Sequence, residues 1–330
     1  MFVQLMVNSF TLVTPTYDPL GLVLHPLPAL LNHSCDYNAT IRISGAPHYY
    51  RIYSKIEVIP LRQIEKGEEI LISYIDANLP YANRQEELGQ RYFFTCQCSK
   101  CLKDSTAPKD GFLDGPTPLG LNDVHELEGR AAELLKSAES DTSLTGPIQK
   151  LKYALYLIQK TGVWPLHRHP SPALRHHLIL AYLNASQFNL AYAHAAVQHF
   201  RVDPELMPQS HHPIRMVHDW VFVCLMDHIL DPQKNEWASQ KWDLVSYKID
   251  IRFWRSYVIR DLYKSTEKVP YSQFTSSTLY SRHEQIQRGH YSYPSEFELN
   301  NKEKYEKEYA LMEKMMDDVL EADGAWQAAS

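Results

Sequence analysis

Four of the five cysteines of this 330-residue chain fall in two short stretches, and this distribution constrains the fold more than any other feature. Cys35 lies in a dense polar segment after an apolar run, whereas Cys96, Cys98 and Cys101 form a CxCxxC knuckle. Four thiolates complete one tetrahedral zinc site and leave no open position, so such a site is structural. The sequence therefore predicts one structural Zn2+ that ties two distant segments together.

The competing interpretation is that the knuckle is a chance cluster and Cys35 an ordinary buried thiol, since free cysteine is common in protein cores. Three thiols within six residues would be a chemical liability without a metal, which favours zinc. The fifth cysteine, Cys224, lies in the apolar run 221–226 and is predicted to be a core thiol.

The composition is that of an ordinary soluble globular protein, with 44% hydrophobic and 22% charged residues. At roughly 150 residues per domain, the length favours two domains. The net charge of -6 argues against nucleic-acid binding as the main function and makes a basic peptide the easier partner.

The apolar start of the chain has no basic flank and no cleavage site of the kind found in signal peptides. No apolar run reaches the roughly 18 residues of a membrane span. Cysteines clustered at metal-ligand spacing, without an export signal, favour a reducing compartment. The sequence predicts a cytoplasmic or nuclear protein that binds no membrane.

The first part of the chain, to about Asp76, is predicted to be a small, irregular β domain. Strands are predicted at 41–43 and 49–59, and the segment 64–75 is predicted to contain a glycine turn followed by a strand that ends at Tyr74. A short helix over 83–93 then delivers the CxCxxC knuckle. The residues from Lys103 to about Asn122, rich in Pro, Gly and Asp, indicate a linker.

Nearly everything beyond the linker is predicted to be helical, and residues 180–195 resemble one tetratricopeptide (TPR) unit without a second clean copy. Residues 300–322 form a charged helix without a strong apolar stripe, either a packed end cap or a mobile tail. Three tryptophans, Trp237, Trp242 and Trp254, imply some burial. The other predicted helices are 125–137, 147–161, 172–185, 189–201 and 213–230.

Histidines offer a second possible metal site, but their spacing favours solvated turns or helix ends over metal binding. They occur in pairs or near-pairs beside Pro and Ser, without a convincing carboxylate or cysteine companion. His33 differs, since it lies between Asn32 and the predicted ligand Cys35. The histidines meant are His167, His169, His176, His177, His211 and His212.

Three ordered motifs carry a resemblance to a known family. They are the segment from Asn32 to Asn38 (NHSCDYN), the segment from Gly67 to Tyr74 (GEEILISY), and the segment from Arg84 to Cys101 with its terminal CxCxxC. Together with the upstream Asn-Ser-Phe at 8–10 and the helical second half, they resemble the SET-and-MYND (SMYD) family of protein-lysine methyltransferases.

The resemblance implies that S-adenosyl-L-methionine donates a methyl group to a lysine of a protein or peptide substrate, histone or otherwise. It implies Tyr74 as the catalytic tyrosine at the methyl-transfer point. Aromatic rings suit a sulfonium and a methylated ammonium through cation–π attraction. The implied cofactor contacts are Asn8, Asn32, His33 and Phe94, the implied lysine channel is Phe10, Tyr74 and Tyr92, and the implied zinc ligands are Cys35, Cys96, Cys98 and Cys101.

The bland interpretation of these aromatics is that Tyr74 ends a strand and that Tyr92 and Phe94 are a core pair; only the ordered motifs favour the functional one. The sequence also departs from the family. The Gly-x-Gly cofactor loop and the MYND cysteines do not occur in it, Ala29 stands at a small polar position, and Tyr37 replaces a proline. The chain could be a fragment, an incorrect gene start or a shortened paralogue, and by itself it is expected to bind S-adenosylmethionine weakly.

The predicted fold class is α+β, with a partial, β-rich SET domain and a post-SET zinc knuckle followed by an all-α, TPR-like domain. The predicted division is 1–80 for the C-terminal part of SET, 81–104 for the zinc-binding segment, 105–122 for the linker and 123–330 for the helical domain. The alternative function is a non-catalytic, zinc-stapled module that binds a peptide on its helical face.

Overall fold

The computed structural model describes residues 9–13, 19–48, 51–107, 119–231, 243–267, 283–284 and 294–325. Short strands make up the first part of the chain and helices the rest, which confirms the predicted α+β class. Among the described helices, none combines the length and apolarity needed to cross a bilayer.

In the part of the chain that the structure describes, six strands form three small two-stranded sheets. Two of the sheets are antiparallel, β1 with β2 and β4 with β5, and the third pairs β3 with β6 in parallel. The longest ladder runs from the pair Ala39 and Pro60 to the pair His48 and Arg51. The strands are β1 (Ser9–Val13), β2 (Pro19–Leu24), β3 (Asn32–His33), β4 (Ala39–His48), β5 (Arg51–Pro60) and β6 (Leu71–Ile72).

The predicted strand after the glycine turn is shorter than expected: Leu71–Ile72 forms the ladder, and Tyr74 lies two residues beyond it. Before it, Gly67 adopts a φ of +91°, a left-handed conformation that closes the turn in which the Glu68 N–H donates to the Glu65 carbonyl. The parallel pairing of β3 and β6 brings His33 opposite Ile72, and Tyr74 follows two residues later. This pairing of two segments that are distant in sequence positions the candidate site.

Two helices follow the strands and carry the knuckle: α1 (Tyr81–Tyr92) and α2 (Ser99–Thr106). The first ends at Phe93, which adopts a left-handed φ of 62° and turns the chain toward Cys96. The predicted helix over 83–93 is confirmed, with its start two residues earlier.

The rest of the described chain is helical. A π-helical turn (Gln198–Val202) and a 3-10 turn (Leu244–Tyr247) interrupt the α-helices. The helices are α3 (Leu121–Glu139), α4 (Gly146–Gln159), α5 (Ser171–Asn184), α6 (Phe188–Val197), α7 (Asp203–Leu206), α8 (Pro213–Leu230), α9 (Ile251–Glu267), α10 (Glu296–Leu299) and α11 (Lys302–Gly324).

Helices α3 to α6 and α8 to α11 share one continuous apolar core that includes Leu155, Tyr192, Phe222 and Trp254. The burial expected of Trp254 is confirmed, whereas Trp237 and Trp242 lie outside the described residues.

The last helix, α11, corrects the expectation that it lacks a strong apolar stripe. Met312, Met315, Met316 and Val319 are all fully buried at helical spacing against α4 and α6. Three methionines with charged neighbours give a weak hydropathy signal, yet their flexible side chains fill a core well. Of the two alternatives for this helix, the packed end cap is therefore confirmed.

Cys224 also requires a correction, because its thiol is exposed instead of buried. Helix α8 buries Phe222, Val223, Leu225 and Met226, and one position inside that run must point outward at 3.6 residues per turn. The apolar run around Cys224 therefore reflects the helix core and says little about the cysteine itself.

Candidate active site and metal centre

Four of the residues implied by the resemblance form one aromatic cluster beside the parallel pair of strands β3 and β6. The Tyr74 ring lies 4.9 Å from that of Tyr92, 5.2 Å from His33 and 6.5 Å from Phe94, measured between ring centroids. His33 and Phe94 are themselves 5.7 Å apart. Because Tyr74 and Tyr92 are only half-buried and Phe94 is exposed, the cluster presents aromatic faces to solvent.

Tyr74 is held at both its hydroxyl and its backbone. Its hydroxyl donates to the Leu31 carbonyl at 2.5 Å, and its carbonyl accepts from the Tyr92 hydroxyl at 3.2 Å. Partial burial raises the pKa of Tyr74, with Tyr92 and Glu69 contributing in the same direction. The hydroxyl is therefore neutral at physiological pH and can act as a hydrogen-bond donor.

His33 connects this aromatic cluster to the cysteines. Its Nδ1 accepts from the Tyr74 backbone N–H at 3.0 Å, so the neutral ring carries its proton on Nε2, which lies 3.2 Å from Cys35 Sγ. Burial, and to a lesser extent the nearby Arg84, lowers the pKa of His33 to about 4. Both ring nitrogens are thus engaged within the protein, which leaves the ring face and the backbone for any contact with a cofactor.

The four predicted zinc ligands come together: the Sγ atoms of Cys35, Cys96, Cys98 and Cys101 all lie within 4.8 Å of one another. Zn–S bonds of about 2.3 Å place tetrahedral sulfurs about 3.8 Å apart, so an ion would draw them inward by roughly 1 Å or less. Burial raises the pKa of the Cys35 thiol. The donor set and its dimensions fit one Zn2+.

Local hydrogen bonds hold the knuckle in place. The Gln85 side chain bonds both backbone groups of Cys96, with its Oε1 accepting from N–H at 3.0 Å and its Nε2 donating to the carbonyl at 3.1 Å. At the start of α2, Cys98 Sγ caps the helix by accepting from the Cys101 N–H at 3.5 Å. Helix α1 therefore helps to hold the knuckle through Gln85.

The positions of the other three predicted site residues, Asn32, Phe10 and Asn8, say little about their roles. Asn32 is exposed, and its Nδ2 donates to Glu69 Oε1 at 2.6 Å. Phe10 pairs through its backbone with Val23 in the β1–β2 sheet. Asn8 lies outside the described residues. The roles that the resemblance implies for these three residues stay predictions.

Asn38 was missed as a positioning residue, although it lies in the densest polar stretch of the sequence. It is 1% exposed, its Oδ1 accepts from the Leu71 N–H at 2.9 Å, and its Nδ2 donates to the Glu69 carbonyl at 2.9 Å. A buried amide must satisfy both of its ends. Asn38 does so by bridging the two paired segments. Its position in the polar stretch was the signal for this role that the sequence offered.

A contact between the two parts of the chain was also missed. The Tyr37 hydroxyl lies 3.3 Å from Nε2 of His212, whose Nδ1 accepts from the Ile214 N–H and caps α8. His212 is buried, which lowers its pKa to about 4. The histidine pairs had been interpreted as solvated turns or helix ends; His212 is a helix end, but it is not solvated. Among the described residues, the cysteine cluster is the only candidate metal site.

Comparison with known proteins places residues 8–75 in the SET domain family. The chain is 32% identical over 193 residues to SET domain and MYND-type zinc finger protein 6 of Schizosaccharomyces pombe, covering 58% of this chain and 33% of that protein. It is 37% identical over 119 residues to N-lysine methyltransferase SMYD2 of Gallus gallus, covering 35% of this chain and 26% of the relative.

A third relative is histone-lysine N-methyltransferase SMYD3 of Mus musculus, 36% identical over 100 residues, which cover 30% of this chain and 22% of the relative. The matches thus span a third or less of the length of these curated relatives. The SET match, the kinship to three SET-and-MYND proteins and the converging cysteines agree with the resemblance carried by the three sequence motifs. The chain therefore contains a match to the SET domain and is similar to SET-and-MYND proteins.

Proposed function

We propose that this chain takes part in protein-lysine N-methylation, with S-adenosylmethionine as the methyl donor and Tyr74 at the point of transfer. The observation that carries the proposal is the aromatic cluster: Tyr74 is fixed through its hydroxyl and backbone, with the rings of Tyr92, Phe94 and His33 within 6.5 Å. An orienting aromatic site suits this reaction, because methyl transfer depends on alignment of the two reactants.

In the proposed reaction the neutral lysine amine forms a bond to the methyl carbon as the bond from that carbon to sulfur breaks. When bound, S-adenosylmethionine would supply the methyl group and keep the electron pair of the broken bond on its sulfur, and the methylated nitrogen would release a proton to solvent. Most of the rate would come from holding the amine and the methyl group in line at near contact distance. The protein therefore needs a rigid channel more than an acid or a base.

The residues of this chain would contribute rigidity and charge stabilisation. Hydrogen bonds to Leu31 and from Tyr92 fix the Tyr74 ring, so its orientation does not depend on substrate. The faces of Tyr74, Tyr92 and Phe94 would stabilise the positive charge that moves from sulfur to nitrogen. His33 would act indirectly, because its Nδ1 accepts a hydrogen bond from the Tyr74 backbone N–H.

The four cysteines would hold Zn2+ as a structural clamp. Cys35 belongs to the segment that contains His33, whereas Cys96, Cys98 and Cys101 follow Phe94 directly, so the ion would bond both sides of the aromatic cluster to each other. A site with four sulfur ligands keeps no position for substrate, so its contribution is positional.

The substrate class follows from the relatives and from charge. Two of them are named as N-lysine or histone-lysine methyltransferases. A chain with a net charge of -6 favours a basic, lysine-bearing peptide over nucleic acid. We propose a protein substrate of this kind, encountered in the cytoplasm or nucleus.

The test is methyl transfer from radiolabelled S-adenosylmethionine to a lysine peptide array, comparing the wild type with Tyr74→Phe. The variant removes the hydroxyl that bonds Leu31 and is expected to lower kcat by about 100-fold while changing KM little. The matched control is Tyr153→Phe, on α4 in the helical part of the chain, with unchanged turnover. Peptide binding with no turnover in the wild type would favour the non-catalytic binding module instead.

Affinity for the methyl donor is measured separately. The sequence lacks the Gly-x-Gly cofactor loop of the family, so calorimetry on this chain alone is expected to give a Kd weaker than micromolar. A micromolar Kd would refute the expectation of weak binding and would strengthen the methyltransferase proposal.

A further inference from the structure

Arg84 is a buried cation whose environment the methyl-transfer chemistry does not explain. It is on helix α1, its side chain is 2% exposed, and Leu88 is buried one turn further along the same face. A guanidinium cannot lose its proton in a protein and is costly to bury without partners. Its presence in a core that contains Cys35, Cys96 and Cys101 requires a compensating interaction.

Its contacts point to the cysteine sulfurs. Nη1 donates to the Leu79 carbonyl at 2.5 Å, while Nη2 donates to Asp104 Oδ2 at 2.6 Å and to Cys101 Sγ at 3.7 Å. The guanidinium thus lies between a zinc ligand on one side and a carboxylate on the other.

Electrostatics explains why a cation beside the cysteine sulfurs would be favourable. Four thiolates around Zn2+ carry a net charge of -2, and burying that charge is unfavourable unless cations or N–H donors face it. Lys100 is close as well, but its Nζ donates to the Ala77 carbonyl at 2.8 Å. Among the residues that the structure describes, Arg84 is the cation whose guanidinium donates a hydrogen bond to a cysteine sulfur.

Asp104 determines the direction in which the guanidinium points. It is on α2, three residues after Cys101, and its carboxylate is one-third exposed, so much of its own charge is solvated. The Arg84–Asp104 pair joins α1 to α2 across the knuckle. Asp104 therefore acts through Arg84, and its removal alone should matter less than removal of the arginine.

We propose that Arg84 is a positioning residue for the zinc centre: its Nη2 hydrogen bond and charge stabilise the Cys101 thiolate, and Asp104 orients it. This rests on the four-cysteine zinc site proposed above. Residues that hydrogen-bond metal ligands commonly contribute about 10- to 100-fold to metal affinity. Arg84 therefore limits how readily the centre releases its ion.

The experiment measures the rate of zinc release from the full chain to a chromophoric chelator. Arg84→Gln is expected to release zinc about 10- to 100-fold faster than the wild type. Arg84→Lys should be intermediate, because an ammonium keeps the charge but not the planar fork. Asp104→Asn should have a smaller effect, and Arg84→Gln/Asp104→Asn should match Arg84→Gln alone.

A spectroscopic readout separates tuning of the sulfur from loss of structure. With Co2+ in place of zinc, loss of the hydrogen bond to Cys101 should shift the sulfur-to-metal charge-transfer band to longer wavelength in Arg84→Gln. The matched control is Arg91→Gln, on the same helix but paired with Glu87 at the surface, with an unchanged band and release rate. Far-UV circular dichroism of each variant checks that the helices are intact.

The outcomes distinguish the two levels of the proposal. If the wild-type chain carries zinc and Arg84→Gln releases it at the wild-type rate with an unshifted cobalt band, the role of Arg84 is refuted and the zinc site stands. If the wild type carries no zinc and binds no Co2+, both the zinc site and the role of Arg84 are refuted.

Discussion

The knuckle region and the helical region solve the problem of stability in different ways. Among the described residues, the buried apolar cluster around the cysteines is small, with Cys35, Ala77, Leu88, Cys96 and Cys101 at its centre. The described helical region instead has one continuous core drawn from eight helices. Hydrophobic burial stabilises the second region, whereas a cluster as small as the first needs an added cross-link such as a metal.

The difference teaches where each region is vulnerable. In the helical region, stability is distributed over many apolar contacts, so a single change has a bounded effect. In the knuckle region it would be concentrated in a few ligands that must all be present for the metal to bind. The two regions should therefore respond to different perturbations.

The largest expected effect is that of metal removal. Cys101→Ser, or treatment with a strong chelator, should reduce bound zinc to below about a tenth of the wild-type amount, because zinc coordination supplies folding free energy directly. Trypsin should then cleave after Arg91, near the opened knuckle, while the helical circular dichroism signal persists. Metal analysis and limited proteolysis measure both.

Cys224→Ser is the matched control, since this thiol is exposed on α8 and outside the cluster. It should retain a full equivalent of zinc. Less than about half an equivalent in the wild type would contradict the four-cysteine assignment.

A change in the helical core should do the reverse. Leu155→Ala removes a side chain that is 1% exposed on α4, and the resulting cavity should lower the free energy of unfolding by about 2–5 kcal/mol. Urea denaturation measures the loss, and bound zinc should stay at the wild-type level. Leu144→Ala, at a position that is 61% exposed, should change stability by less than about 0.5 kcal/mol.

A smaller effect is the pH dependence that α11 brings to the helical region. Burial raises the pKa of Asp323 to about 6, although Arg175 and Lys152 act in the opposite direction. A carboxyl whose folded-state pKa exceeds its unfolded value, about 3.9, stabilises the fold most below that value and loses the contribution as the pH rises through 6. Its contribution should therefore grow by about 1 kcal/mol from pH 7 to pH 5.

The measurement is the difference in unfolding free energy between the wild type and Asp323→Asn at the two pH values. The groups around the carboxylate do not titrate between these pH values: Arg175 stays protonated, burial raises the pKa of Tyr182, and burial lowers the pKa of His194 well below its usual value. A difference that stays constant or grows toward alkaline pH would show that Asp323 is charged in the folded state at pH 5.

The smallest expected effect is at the contact that joins the regions. Tyr37→Phe removes the hydroxyl that bonds His212, and His212→Asn keeps a helix cap while losing that bond. A double-mutant cycle should give a coupling free energy of about 0.5–1.5 kcal/mol. A coupling near zero would mean that the two regions unfold independently of this contact.

Much of the candidate site could be read from spacing along the chain. The CxCxxC knuckle with Cys35 predicted the four sulfurs that converge, and the ordered motifs singled out Tyr74, Tyr92 and Phe94, which share one cluster. Local patterns of this kind succeed because ligand and strand geometry restrict which residues can be used.

Other features depended on residues far apart in sequence. The predicted strand that ends at Tyr74 is only two residues long because its pairing depends on β3, and the apolar face of α11 became clear only against α4 and α6. Cys224 was misjudged because its neighbours are buried, whereas its own direction on α8 is outward.

The sequence by itself determined the α+β class and singled out the four clustered cysteines, because residue type and spacing along the chain encode them, and its family resemblance singled out the aromatic residues of the candidate site. Only the tertiary structure decided that His33 joins Tyr74 to Cys35, that Arg84 bonds a ligand sulfur, and that Tyr37 meets His212. The physical reason is that a hydrogen bond depends on distance and direction in space, which burial and packing decide once the chain has folded.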